Sequence, residues 1–479
     1  MKLNTARTTR ERVEAHEMLV ADRTRSRTGV DSARSWYVLG ILTVAYALAY
    51  IDRQLLNLLV DPIKHSLNVS DTQLSLVQGL AFVSAYLLAG PLWGRAVDIT
   101  NRRNILVLCI CVWSISTALC GRADTYAGLF SARFGVGASE ACIVPVCWSL
   151  ISDLFSTQKR ARAISIWSTG AFLGAGFSLV GGGLVISAAR SLRLTFPVLE
   201  TLATWQLAFV IVGIPGVLLA ALLLLTVGEP LRRRATGTST DEQIFTLREA
   251  MAYIWMHRGF YGRIFIAIGL IGVVMLGMPA WFPSFLIRYH GAAPASVGFK
   301  FGAVVVVCGL AGVLFAPRAV RIVQHWYRSD APVRTAAFCI TGVLLLCSAI
   351  PFAPGSTGAL AVCAGVIFCF SIPVAILPVV AQRGTPNRLR GLVASLYSFF
   401  GNIIGFGIGP SAIALTTDKV FGNPRMVGYS IGIVCCIAAA IAAWLLFAVI
   451  SRYRKMPDDA DLTNQHRAPA PEITRNAPG

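Results

Sequence analysis

The sequence predicts an all-α membrane protein, with twelve transmembrane helices arranged as two pseudo-symmetric six-helix bundles. Three observations lead there. The chain of 479 residues is 55% hydrophobic and only 14% charged, whereas a soluble domain carries about 25% charged residues. Its apolar residues gather into twelve runs of about 20 residues, the length a helix needs to cross a bilayer. The last six runs also echo the first six.

The runs cover 36–60, 72–96, 104–122, 126–153, 163–189, 204–227, 259–287, 296–316, 333–352, 357–381, 391–416 and 426–450. The longest polar interruption, "GEPLRRRATGTSTDEQIF", begins at Gly228 and divides six runs from six. The plan that follows is a tail (1–35), a first bundle (36–226), a linker (227–258), a second bundle (259–452) and a second tail (453–479). Both tails are short, polar and contain Pro and Arg, a composition that favours disorder. After run 2 comes "GPLWGRAV" (90–97), and after run 8 "GVLFAPRAV" (312–320). "RARAI" after run 4 precedes a helix with "GAG", as "RLRGL" after run 10 precedes one with "GFG". A six-span repeat points to a transporter of parallel halves with its site between them near the midplane. Pro145, Pro215, Pro279, Pro283, Pro373, Pro378 and Pro410 interrupt spans, where each removes a backbone hydrogen bond and invites a kink.

A net charge of +19 raises the question of nucleic acid, and its distribution answers it. The tails, the even-numbered loops and the helix ends beside them hold 32 of the 42 Lys and Arg residues; the odd-numbered loops hold 8. That asymmetry follows the positive-inside rule. It predicts a multi-pass protein with both termini cytoplasmic, in the inner membrane if the source is bacterial, whose partner is the lipid bilayer and not nucleic acid. Residues 1–35 lack the apolar segment of a signal peptide. The twelve cysteines fall within or at the ends of runs without zinc-ligand spacing, and none of the six histidines lies mid-span. Buried thiols are expected, and neither a metal nor a cofactor. "GYSIG" (428–432) fits a hydrolase pattern but lies in a helix, away from the strand-turn-helix setting that chemistry needs. "NVS" (68–70) is a glycosylation sequon only in a secretory pathway, and the absence of any Gly-Lys dipeptide excludes a P-loop. The chain is not expected to be an enzyme.

"GRAVDITNRR" (94–103) places Gly94 at a helix end, an acid at Asp98 and the pair Arg102-Arg103 in a short cytoplasmic loop. Gly94 permits close helix approach, and Asp98 can meet a cation or a helix N-terminus, latching the cytoplasmic side. Here the sequence resembles the major facilitator superfamily, whose loop between helices 2 and 3 carries a Gly-x-x-x-Asp-x-x-x-Arg-Arg type motif. Ile99 stands where an Arg commonly follows the acid, so the latch leans on Arg102 and Arg103. "YIDRQ" in run 1, "ARFGVGASEACIVPVCWSLISDLF" in run 4, "WFPSFLIRYHG" ending run 7 and "GNIIGFGIGPSAIALTTD" in run 11 resemble the spinster-like branch, over roughly 36–452. The resemblance implies a proton-linked carrier. Some animal members of that branch move lysophospholipids or sphingoid phosphates.

Asp52 and Arg53 lie inside run 1, where a charge costs about 2.5–3.5 kcal/mol and usually marks a pathway or site. Counting about 1.5 Å per residue, Asp52 lies about 6 Å beyond the midpoint of its helix. Glu140 in run 4 comes near the midplane, with Arg133 on the same face about 10 Å further out. If helices 1 and 4 face each other, Arg53 approaches Glu140 while Asp52 approaches Arg133. Arg53 shares a face with Tyr46, Tyr50 and Asn57, a polar stripe suited to a cavity; Asp52 shares one with Ala45, Ala49, Leu56 and Leu59. Arg53 is thus the candidate for an anionic substrate group, and Asp52 the candidate proton carrier, with Glu140 titrating in its place or with it. The competing reading has the four charges only pinning two helices together. The second half has no mid-span acid; Trp281, Ser284, Tyr397 and Asn402 are its candidate cavity groups, or packing residues.

The predicted function is secondary active transport by alternating access, coupled to protons, of an amphipathic or organic anion such as a lysolipid. A symporter of small carboxylates, sugar or aromatic acids, is the alternative within transport. A non-transporting sensor or scaffold is the alternative outside it. No cofactor beyond the coupling proton is expected, and the chain should work as a monomer.

Overall fold

A computed structural model describes residues 31–230, 247–383, 385 and 389–455; the side chains of 98, 157, 161, 171, 172, 247–250, 390 and 391 lie outside that description. The described residues form helices and no strand. Among the described residues, twelve helices are long and apolar enough to cross a membrane: α1 (Ala33–Leu58), α2 (Asp71–Val97), α3 (Arg102–Cys120), α4 (Tyr126–Leu154), α5 (Gln158–Thr195), α6 (Thr204–Thr226), α7 (Arg258–Arg288), α8 (Pro294–Gln324), α9 (Ala331–Phe352), α10 (Gly355–Gln382), α11 (Leu392–Phe421) and α12 (Pro424–Tyr453).

Short polar residues start these helices by accepting from otherwise unpaired N–H groups. Ser32 does so for Ser35 on α1, Asn101 for Asn104 on α3 and Thr125 for Gly128 on α4. Several helices outrun the hydropathy runs, most of all α5 and α8, because the backbone ladder continues into polar turns where apolar composition stops. Pro215, Pro373, Pro378 and Pro410 sit inside continuous helices. Two prolines do mark breaks. Pro279 follows a π-turn at Val273–Gly277, which relieves the clash of its ring with the carbonyl four residues back. Pro145 follows the interruption of α4 after Glu140. Gly94 departs from expectation. Its helix runs on to Ile99, and a Cβ placed on Gly94 would meet nothing within 4 Å, so neither helix end nor close approach occurs there.

The chain divides into two units, with boundaries at Val69/Ser70, Leu80/Ala81 and Ser239/Thr240. Unit 1 holds α1, α2 from Ala81 onward, and α3 to α6; unit 2 holds α7 to α12 together with residues 70–80. Each has the same internal plan. In unit 1, α5 presses Gly174 onto the backbone of Ala47 in α1; in unit 2, α11 presses Gly409 onto Val273 and Gly277 in α7. Gly216 of α6 packs on Ser114 of α3, as Gly432 of α12 packs on Cys347 and Pro351 at α9. Pairs 1/5 and 3/6 thus recur as 7/11 and 9/12, six spans on. The core of unit 1 is built from Leu42, Ala45, Ala49, Ile110, Trp113, Val146, Leu150 and Phe155, among others. All twelve cysteines are free thiols.

Candidate functional site

The stripe on α1 folds as its spacing requires. Tyr46, Tyr50 and Arg53 are half-buried along one side, while Asp52 turns into the protein at 3% exposure. Tyr46 stacks on Trp167 of α5, ring centroids 4.2 Å apart, and meets Tyr50 edge-on at 5.4 Å. The Arg53 guanidinium lies 4.8 Å from the Tyr50 ring centre and 4.3 Å from that of Phe82 on α2. Aromatic faces attract a cation that has lost water, so this bed favours a charged Arg53. Asn57 is buried and donates to Gln54 one turn back.

Glu140 comes to Arg53 from α4, which Gly137 brings close: a Cβ there would collide with the backbone of Phe82. Trp93 of α2 adds a hydrogen bond from Nε1 to the Ala138 carbonyl at 2.7 Å. The helix breaks just after Glu140, and Arg53 donates to Glu140 Oε2 through Nε at 2.8 Å and again through Nη2. The Glu140 side chain is fully buried and that of Arg53 is 13% exposed. Glu140 Oε1 has no hydrogen-bond partner among the described residues. Both bonds to Arg53 thus fall on one carboxylate oxygen, leaving the other unengaged.

Asp52 meets a partner that sequence spacing did not supply. Its Oδ2 accepts from Thr117 Oγ1 of α3 at 2.6 Å, and Thr117 is completely buried. Arg133 does reach this residue, but through the backbone: Nη1 donates to the Asp52 carbonyl at 3.4 Å. No ion pair joins the Asp52 carboxylate to Arg133 among the described residues; the carboxylate is held instead by Thr117 of α3. Arg133 is 1% exposed, and its Nε lacks a partner among the described residues. Ser178 of α5 donates to the neighbouring Ile51 carbonyl at 2.8 Å. Formally the two acids and two arginines cancel, the condition under which buried charges are tolerated.

The candidates of unit 2 are mostly engaged locally. Trp281 is fully buried, and its Nε1 donates to the Pro410 carbonyl at 2.9 Å, tying α7 to α11. Asn402 donates to the Ser398 carbonyl of its own helix at 2.9 Å, and Ser284 is buried at 1% exposure. The Tyr397 hydroxyl is buried without a hydrogen-bond partner among the described residues. Ser430 of "GYSIG" is buried and accepts from Thr417 at 2.8 Å, a packing contact.

At the other candidate region, Arg102 is 2% exposed and gathers three elements of unit 1. It pairs with Asp153 at the end of α4 and with Glu229 beyond α6, and donates to the Pro230 carbonyl at 3.1 Å. Arg103 gives its backbone N–H to Glu229 at 2.9 Å and Nη1 to the Val227 carbonyl at 3.3 Å. The Asp98 side chain, the linker arginines Arg232, Arg233 and Arg234 and most of both tails lie outside the described residues. Phe82, Trp167 and Thr117 escape a reading of the sequence. Of these, only Thr117 leaves a trace, as a polar residue in the apolar run "SISTALC".

Twelve spanning helices, two units of repeated internal packing and a buried charge network in unit 1 define the class of membrane transporters built from repeats. Comparison with known proteins gives the family. The Major Facilitator Superfamily model matches residues 42–410, and the chain belongs to that family, whose members are transporters and not enzymes. An MFS-type efflux pump of Mycolicibacterium smegmatis is 25% identical over 432 residues, 88% of this chain and 94% of the pump. Protein spinster homolog 1 of Xenopus laevis is 27% identical over 346 residues, 68% of this chain and 60% of the frog protein. A bacterial homolog of the human lysosomal transporter Spinster, in an inward-facing and unoccupied conformation, superposes with a TM-score of 0.73 at 22% identity, over 92% of this chain and 99% of that one. The likeness lies in the spinster-like branch.

Proposed function

We propose that this chain is a proton-coupled carrier of an amphipathic or organic anion, working by alternating access, with its Arg-rich loops and both termini in the cytoplasm. The observation that supports it best is the Arg53–Glu140 pair. Arg53 is the group an anion would seek, yet Glu140 already occupies it through Oε2. A proton taken at Glu140, with Oε1 its unengaged oxygen, discharges the carboxylate and frees the guanidinium for a carboxylate, phosphate or sulfonate group. Proton and anion then bind in the same half-cycle. The site keeps zero net charge in both conditions, Arg53 with Glu140 or Arg53 with the anion, as a low-dielectric site requires. Tyr46, Tyr50 and Phe82 supply the aromatic wall beside the charged group, suiting a substrate with an apolar part next to its anionic end. Asp52, held by Thr117, is the second titratable group and couples to the first.

The test uses purified protein and a panel of lysophosphatidyl lipids, fatty acids and aromatic carboxylates, with binding followed by thermal shift. In the native protein, binding should strengthen as pH falls. Glu140→Gln should bind at every pH as the native protein does at low pH. Arg53→Ala should lose binding throughout. A native-like pH dependence in Glu140→Gln would overturn the exchange at Arg53.

A further inference from the structure

A short helix, Leu247–Met256, leads into α7 of unit 2. Its side chains from Met251 onward divide by helical spacing. Tyr253 is half-buried, its ring centroid 4.4 Å from that of His257 and 6.3 Å from that of Tyr261 on α7. Met251, Trp255 and Met256 turn outward instead, at 47%, 69% and 76% exposure. An exposed indole among apolar side chains, at the end of a spanning helix, suits the boundary between lipid headgroups and acyl chains.

Three arginines meet where this helix joins α7, all within unit 2. The Arg258 guanidinium lies 5.1 Å from the Trp255 ring centre, which holds the cation beside the exposed indole. Arg452, near the end of α12, lies across Gly259, where a Cβ would collide with its guanidinium. Arg263 donates through Nη1 to the Gly259 carbonyl at 2.9 Å. Phe260 and Tyr453 stack with centroids 6.4 Å apart and so hold the two helix ends together. Arg454, two residues beyond Arg452, is paired with Asp330. No ion pair engages Arg258, Arg263 or Arg452 among the described residues. Like charges gathered at one glycine repel, and the repulsion grows where lipid lowers the dielectric. An anion between them removes that cost.

We propose that Arg258, Arg263 and Arg452 form a headgroup site for an anionic phospholipid, with Trp255 and Met256 against its first acyl carbons. Guanidinium groups present paired N–H donors that match phosphate oxygens. The exposed apolar face that continues the basic cluster selects a lipid over a free phosphate. The site uses no residue of unit 1 and does not depend on what the carrier moves.

Native mass spectrometry on the full chain in detergent tests this, with phosphatidylglycerol or phosphatidylcholine added. The native protein should retain phosphatidylglycerol in preference to phosphatidylcholine. Arg258→Gln and Arg452→Gln should each weaken that retention roughly fivefold, the effect of losing one basic residue at an anionic surface. Gly259→Ala should weaken it as well, because the new methyl displaces the Arg452 guanidinium while every charge remains. Arg328→Gln, at an exposed arginine after α8, and Arg53→Ala should both retain the lipid as the native protein does. Native-like retention in Arg258→Gln and Arg452→Gln would overturn the site. An equal loss in Arg328→Gln would reduce the effect to diffuse charge, and a loss in Arg53→Ala would move the lipid to the transport pair; either overturns it. Displacement of the lipid by glycerol 3-phosphate would make the ligand a free phosphate and overturn the lipid assignment. Asp458, Asp459 and Asp461 follow α12 in the sequence, outside the described residues, and are the rival counter-ions. Retention that appears only when all three are changed to Asn would assign the arginines to that tail and overturn the proposal.

Discussion

Asp52 and Arg53 are neighbours in the chain with separate jobs in the protein. Arg53 lies on the half-buried aromatic stripe against Glu140, while Asp52 turns the other way to the Thr117 hydroxyl. Asp52→Asn preserves an oxygen that can accept from Thr117, so the variant should fold and melt close to the native protein. It should nevertheless lose accumulation driven by a pH gradient while still exchanging substrate, since exchange bypasses proton release. If it retains gradient-driven accumulation, Asp52 is not a carrier of the coupled proton. Thr117→Val tests the partner. It leaves a buried carboxylate oxygen without its donor, which costs about 1–3 kcal/mol, and should lower the melting temperature while Thr117→Ser restores it. The Arg53–Glu140 contact was legible in the sequence because rise and turn per residue place two groups on two facing helices. The partner of Asp52 was not. A hydroxyl on a third helix holds the carboxylate, and periodicity along α1 and α4 carries no information about α3.

At the scale of helices, the repeat is clearest where the sequence hides it. Arg102 sits at the start of α3 and binds acids at the end of α4 and beyond α6. Six spans later, Asp330 sits at the start of α9, 1% exposed, and binds Arg334 on α9 and Arg454 after α12, at 2.8 and 2.9 Å. The adjacent Ser329 carbonyl accepts from Arg383 after α10 at 3.0 Å. The same helix ends are tied in both units, with the sign of the central charge reversed. Residue-by-residue comparison of the halves therefore misses the equivalence, although the twelve runs and the Gly motifs were plain. Burial pushes the Asp330 carboxyl up, but the bonds and charges of Arg334 and Arg454 outweigh it and hold it below the ordinary carboxylate value. A carboxyl depressed in the folded state stabilises the fold fully above its unfolded value, about 3.9. That stabilisation is lost as pH falls through the folded value. Asp330→Asn should therefore melt earlier than the native protein by a constant margin from neutral pH down to about pH 5, and the margin should shrink below about pH 4. A margin that does not change down to pH 3 would show that the ties act without ionisation.

At the scale of the whole molecule, we propose from the charge pattern that the basic loops and both tails face the cytoplasm. Lysine and arginine in short loops resist transfer across the bilayer and so stay on the side of synthesis. The loops that open α3, α5, α7, α9 and α11 and the two tails carry most of the 42 basic residues. An even number of spans returns the C-terminus to the side of the N-terminus, which the basic tails require independently. Single cysteines at the exposed Thr100, at Arg232 and at Gly479 should accordingly resist a membrane-impermeant maleimide in intact cells and react after permeabilisation. A cysteine at Asn68, in the loop between α1 and α2, should react in intact cells. The result that would undo this is an accessible Gly479 with a protected Asn68. The charge asymmetry would then point outward, and the proton gradient would meet the Arg53–Glu140 pair from the opposite end of the carrier.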